Sequence, residues 1–406
     1  LRRYVPKGTD LSKHNAGTLA AVAATLNGRP RKTPAWRTPA EALCDLLISS
    51  SGKTSAVEAG MRYMTFGRHT GLRVSEYALG TGNFGTRWGG GAEPLEARRI
   101  FERFADAGGT FIDTANSYQF GEAEVLLGGF LKADRDHFVV ATKFTQSDSS
   151  TPGISTTGNS RKNMVRSLEA SLGRLGTEYV DLYWAHMPDT LTPMEEILRG
   201  FDDMVGAGKI LHAGLSNFPA WRTARAAAIA DLRGWAPIVG IQIAYSLVER
   251  GADRDQLPMV EALGMGAALF SPLGGGLLTG KYRKSDKGRL SEWKHTIWTE
   301  DTPQRSAIVD KVLVVAAETG ASPSQVAVAW VREVARRSGT AYVPIIGPRD
   351  VGQLEDYLGA MDVSLDERQL RELDEVSAVV PAGINPKAVL AVTGVDAALV
   401  CRAIPP

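Results

Sequence analysis

Short apolar runs that end in a polar residue recur along most of this chain. They fall at residues 77–80, 110–113, 138–143, 179–186, 211–216, 240–245, 267–271 and 341–347, and each reads as a buried strand. Between them lie segments of helical period, such as 93–107, 161–175, 193–207 and 322–338. The polar residues closing the middle strands, Asp113, Lys143, His186, Ser216, Gln242 and Ser271, are spaced by 30, 43, 30, 26 and 29 residues. A strand-helix-strand unit takes about 30. Eight such units in succession predict an α/β fold, a (β/α)8 TIM barrel, with the closing polar residues gathered at its C-terminal mouth. An open doubly wound sheet is the competing arrangement, and the even spacing favours closure.

The pattern differs at both ends. Residues 11–26 read as a short helix, and Thr38 with Pro39 as the N-cap and first position of another. Residues 48–55 have the Ser/Gly-rich composition of a linker, and 381–406 are apolar without a period. The expected organisation is a mostly helical or disordered extension at 1–48, a linker at 49–60, the barrel at 61–380 and a disordered tail at 381–406.

Composition changes this picture little, and charge changes it more. With 44% hydrophobic and 22% charged residues the chain sits near the globular average. No run approaches the roughly 20 apolar residues of a membrane span, and the first residues do not read as a secretory signal, so a cytoplasmic protein is expected. Cys44 and Cys401 give neither a metal spacing nor a disulfide framework, and no metal site is expected. The net charge of +1 hides an asymmetry: residues 1–60 carry nine Lys/Arg and four acids, a net of +5, which leaves the remainder at −4. A basic head on a mildly acidic body suggests two unlike pieces.

Gly80-Thr-Gly82-Asn-Phe-Gly85 matches the glycine pattern of dinucleotide-binding folds. Its context does not, because Thr86 to Ala92 separates it from the next helix and no acid closes a second strand about 20 residues on. Four other residues are of kinds that do carbonyl chemistry. They are Asp113 and Tyr118 in Phe111-Ile-Asp-Thr-Ala-Asn-Ser-Tyr118, Lys143 in Ala141-Thr-Lys-Phe144, and His186 in Trp184-Ala-His-Met-Pro-Asp189. Reducing a carbonyl builds charge on its oxygen, which an acid must neutralise. A tyrosine ordinarily titrates near pH 10, so acting near pH 7 requires about 4 kcal/mol of phenolate stabilisation. A nearby ammonium supplies much of that.

In these motifs, over roughly residues 61–378, the body resembles an aldo-keto reductase. The resemblance implies a catalytic tetrad of Asp113, Tyr118, Lys143 and His186 and a nicotinamide cofactor held without a Rossmann fold. It implies that Thr81 is among the cofactor-binding residues, that Ser216, Asn217 and Gln242 hydrogen-bond the carboxamide, that Phe270 stacks on the nicotinamide, and that Ser271, Leu273 and Gly275 line the pyrophosphate. Lys281, Gly347, Arg349, Gln353 and Asp356 would form the adenosine end. Gly347 would open a helix there, and the pair of cations would favour NADPH/NADP+ through its 2′-phosphate. The family commonly has Asn where this chain has Asp356, and a carboxylate accepts but cannot donate. Residues 61–67 and 72–79 resemble the hairpin that closes the family's barrel bottom. The implied partner is a small-molecule carbonyl substrate, met by loops 86–92, 145–158 and 281–302 with Trp88, Trp293 and Trp298. A second reading is a redox-sensing barrel of the potassium-channel β-subunit type, with little turnover.

The head, in Tyr4-Val-Pro-Lys-Gly-Thr-Asp-Leu-Ser12 and residues 26–43, resembles the C-terminal tail of DDE-type insertion-sequence transposases. It reads either as a DNA contact through Arg and Lys or as a remnant without activity, and the second is expected, because no carboxylate triad accompanies it.

Overall fold

The computed structural model describes residues 60–283 and 299–379. Eight parallel strands close into a barrel, β3 (Ala78–Gly80), β4 (Phe111–Asp113), β5 (Val139–Phe144), β6 (Val180–Ala185), β7 (Ile210–Ser216), β8 (Ile238–Ala244), β9 (Gly266–Phe270) and β10 (Tyr342–Ile346). β10 pairs with both β9 and β3, which closes the ring. The predicted (β/α)8 barrel is therefore the fold. The transposase-like residues 1–48, the linker up to residue 59, Trp293, Trp298 and the tail at 381–406 lie outside the described residues.

One helix follows each of the first six barrel strands: α1 (Pro94–Asp106), α2 (Glu122–Leu131), α3 (Arg161–Leu175), α4 (Met194–Gly206), α5 (Ala220–Arg233) and α6 (Gln256–Leu263). After β9 come α7 (Pro303–Thr319) and α8 (Pro323–Arg337), and after β10 come α9 (Val351–Gly359) and α10 (Glu367–Val376). Local chemistry sets their ends. The Ser160 hydroxyl accepts from the Asn163 N–H to start α3, and left-handed Gly176 ends it. Ser322 with Gln325, and Asp366 with Gln369, form capping boxes on α8 and α10. Among the described residues no single helix is long and apolar enough to cross a membrane; α7 and α8 meet that test only together, bent by 98°.

The apolar residues divide into one cluster between strands and helices and another inside the barrel. β1 (Tyr63–Thr65) and β2 (Arg73–Ser75) form an antiparallel hairpin, and Phe66 beyond β1 is fully buried in the inner cluster. It packs edge-on to Phe111 and Trp184, at 5.7 and 6.2 Å between ring centroids. The wall is thinned to admit these rings. Gly214, Gly240 and Gly266 stand in register across β7, β8 and β9. A Cβ on Gly240 or Gly266 would lie 2.5 or 2.8 Å from the Phe66 ring, and one on Gly214 would lie 2.2 Å from Trp184.

Candidate active site

The strands deliver Asp113, Lys143 and His186 to neighbouring positions at the C-terminal mouth, where β4, β5 and β6 run side by side. Lys143 has 0% exposure. Its Nζ donates to Asp113 Oδ2 and to the Thr114 carbonyl, both at 2.6 Å, and to the Tyr118 hydroxyl at 3.2 Å. Asp113 Oδ1 accepts from Gln242 Nε2 at 2.8 Å, so both carboxylate oxygens are engaged. Burial by itself would turn Lys143 into the neutral amine, but the Asp113 charge and Tyr118 outweigh it and raise its pKa. Burial raises that of Asp113, with Lys143 and Gln242 pulling it back.

His186 lies half-buried in the cavity wall, its ring 6.1 Å from that of Tyr118 and nearly perpendicular to it. Burial first, and the Lys143 charge second, hold its pKa well below the ordinary histidine range. Its Nδ1 is buried without a hydrogen-bond partner, which leaves Nε2 to serve the cavity. Thr145 Oγ1 and Asn217 Nδ2 fix its backbone, accepting from the N–H and donating to the carbonyl.

A cavity of about 580 Å³ opens over these groups. Of the predicted residues, Asp113, Tyr118, His186, Asn217, Gln242, Phe270, Ser271, Leu273, Gly275, Lys281, Gly347, Arg349, Gln353 and Asp356 line it. Lys143 sits behind Tyr118. Thr81 and Ser216 are fully buried and outside the wall; Thr81 Oγ1 donates to the Asp113 carbonyl and Ser216 Oγ accepts from Asn217 Nδ2. One expectation is corrected: Gly347 does not open a helix. α9 begins at Val351, and the Asp350 carboxylate caps it by accepting from the Gln353 N–H, so a side chain already satisfies part of that terminus. The Asp356 oxygens accept from the hydroxyls of Ser322, at 2.6 Å, and Ser324.

The wall suits a dinucleotide. Gly274, Gly275 and Gly276 take φ values of 55°, 65° and 93°, a turn open to glycine, and a Cβ on Gly276 would stand 3.2 Å from Lys281 Cε. Cations (Lys281, Arg349) lie in the same wall as amides (Asn217, Gln242) and an aromatic face (Phe270). The glycine pattern at 80–85 is no Rossmann turn, since α1 starts only at Pro94. Sequence reasoning missed Asn83, whose amide donates to the Gly347 and Pro348 carbonyls, and Gln119 and Glu122. Asn83 lies in the glycine pattern at 80–85 but is not one of its glycines, Gln119 and Glu122 lie just past the Tyr118 motif, and the partners of all three are distant in the chain.

A parallel eight-stranded barrel with this lysine-centred cluster under a long cavity defines a class of oxidoreductase. The chain belongs to the aldo/keto reductase family, whose model matches residues 77–378. It is 37% identical over 337 residues to "Uncharacterized oxidoreductase YrpG" of Bacillus subtilis, covering 81% of this chain and 99% of that protein. It is 32% identical to "Aryl-alcohol dehydrogenase [NADP(+)]" of Phanerodontia chrysosporium (75% and 83% covered). Similarity at 32% also extends to "Putative voltage-gated potassium channel subunit beta" of Schizosaccharomyces pombe (78% and 93% covered).

Proposed function

We propose that this chain is an NADPH-dependent reductase of aldehydes and ketones in which Tyr118 is the general acid. The observation that carries the reading is the buried Lys143 ammonium, held by Asp113 and donating to the Tyr118 hydroxyl at 3.2 Å. Asn217 and Gln242 would hold the carboxamide, Phe270 the ring face, Ser271, Leu273 and Gly275 the pyrophosphate, and Lys281 and Arg349 a 2′-phosphate. When bound, the cofactor supplies hydride to the carbonyl carbon. Tyr118 passes its proton to the carbonyl oxygen, and Lys143 stabilises the phenolate left behind. Neutral His186 offers Nε2 to the same oxygen and orients it. Tyr118→Phe is expected to lower turnover by about 10²-fold or more with NADPH affinity unchanged. The check is NADPH oxidation over a panel of carbonyls, paired with fluorescence titration of the cofactor; unchanged turnover would refute the mechanism.

The relative named as a potassium-channel β subunit supports a second reading, a cofactor-sensing barrel with little turnover. Tight NADPH binding without hydride transfer to any carbonyl in stopped flow would favour it.

A further inference from the structure

The loop between β3 and α1 leaves the barrel and returns to it, pinched at its base by Gly85 N–H to the Ala92 carbonyl and Ala92 N–H to the Asn83 carbonyl. Within its tip the Gly89 N–H donates to the Thr86 carbonyl. The tip is held from outside, by the residues that follow Tyr118. Gln119 Oε1 accepts from the Trp88 N–H at 2.7 Å, and Gln119 Nε2 donates to the Gly90 and Gly82 carbonyls at 3.1 and 3.3 Å. Glu122 Oε2 accepts from the Thr86 and Arg87 N–H groups at 2.9 and 3.2 Å. Gln119 is fully buried.

The backbone that presents Gln119 is unusual. Gln119 and Phe120 have φ of 51° and 52°, and Gly121 follows at 86°, three consecutive left-handed residues where a side chain is disfavoured. A glycine at position 119 would relieve that strain. Strain kept beside a reacting group points to a function, and here it aims an amide at the loop. Pinned in this way, the Trp88 ring lines the cavity and stands edge-on to Tyr118 at 6.1 Å and to Phe120 at 6.3 Å. With the His186 ring also perpendicular to Tyr118, the substrate end of the cavity is bounded by aromatic edges and faces, a slot for a flat ring.

We propose that Gln119 is a positioning residue that fixes Trp88 as one wall of the substrate slot, and that through this wall the enzyme selects planar aryl aldehydes and ketones over small aliphatic ones. The inference rests on the reductase reading above. Because Gln119 supports the wall and touches neither Lys143 nor Asp113, its loss changes selectivity and leaves the chemical step.

The test is Gln119→Gly, which frees the backbone from strain while removing the amide. The kcat/KM ratio for 2-naphthaldehyde over propanal is expected to fall about tenfold, the scale of one lost pocket contact, mainly through KM, with propanal kcat and the NADPH Kd within about twofold of wild type. In a Trp88→Ala background the same substitution is expected to add nothing, since both act on one wall. Hydrogen exchange at residues 86–90 should quicken in Gln119→Gly, with α2 unchanged. A ratio unmoved by Gln119→Gly, an equal fall for both aldehydes, or additivity with Trp88→Ala would overturn the proposal. A wild type that reduces neither aldehyde would refute the reductase reading and the selectivity with it, whereas the exchange measurement judges the pinning by itself.

Discussion

An ammonium with no exposure to water survives only if its neighbours replace hydration, and around Lys143 a carboxylate, a carbonyl and a phenol do so. Removing one partner of such a pair leaves the other charge buried and alone. Lys143→Met is therefore expected to cost about 3–5 kcal/mol of stability and to abolish turnover. Adding Asp113→Asn should recover most of the stability and none of the activity, and urea unfolding beside an activity assay checks both. His186 gives a pH signature. The unfolded chain takes up a proton near pH 6.5 that the native state, with its lowered pKa, refuses. Stability is thus full above about pH 6.5 and falls as pH drops toward the native value. Denaturation midpoints should decline as pH falls through that window, less steeply in His186→Gln; a slope identical to wild type would contradict this. His212, also held low by burial, keeps its own share of the slope.

At the scale of elements, the register of Gly214, Gly240 and Gly266 ties the hairpin to the barrel, since the space left by these glycines is filled by Phe66 and Trp184. Gly240→Ala should overpack that layer and cost about 1–3 kcal/mol. Phe66→Ala should leave a void worth about 3–5 kcal/mol. Neither touches the mouth, so thermal midpoints should drop while KM holds. The strand-end residues Asp113, Lys143 and His186 were legible because a continuous apolar run closed by a polar residue announces where a buried strand stops, and barrel geometry then gathers the ends. The glycine layer was not legible: nothing local in Gly214 or Gly240 says which ring fills the missing Cβ. Gln119 escaped for the same reason, as its contacts with Gly82, Trp88 and Gly90 span 29 to 37 residues. The start of α9 falls past Gly347 because the Asp350 side chain accepts from the Gln353 N–H only three residues on and so sets Val351 as the first helical residue, a local capping signal that the expectation at Gly347 passed over.

Across the whole molecule, backbone strain and packing occupy opposite rims. All the non-glycine residues with positive φ among those described, Gln119, Phe120, Thr145, Asn217 and Ser271, follow barrel strands at the mouth, while the hairpin and its phenylalanine fill the far end. Ring closure also joins residues from the two ends of the barrel sequence, Ile345 beside Ala78 and Ile346 beside Leu79. On a ribosome that contact comes late. Until β10 is released, β3 and β9 are open sheet edges able to pair with other chains, and long-range closure of this kind is slow. The cavity waits for the same event, because Gly347, Arg349, Gln353 and Asp356 arrive only after β10. A nascent chain therefore gains its ligand pocket and loses its aggregation-prone edges in a single step, and whatever binds that pocket favours only those chains whose ring has closed.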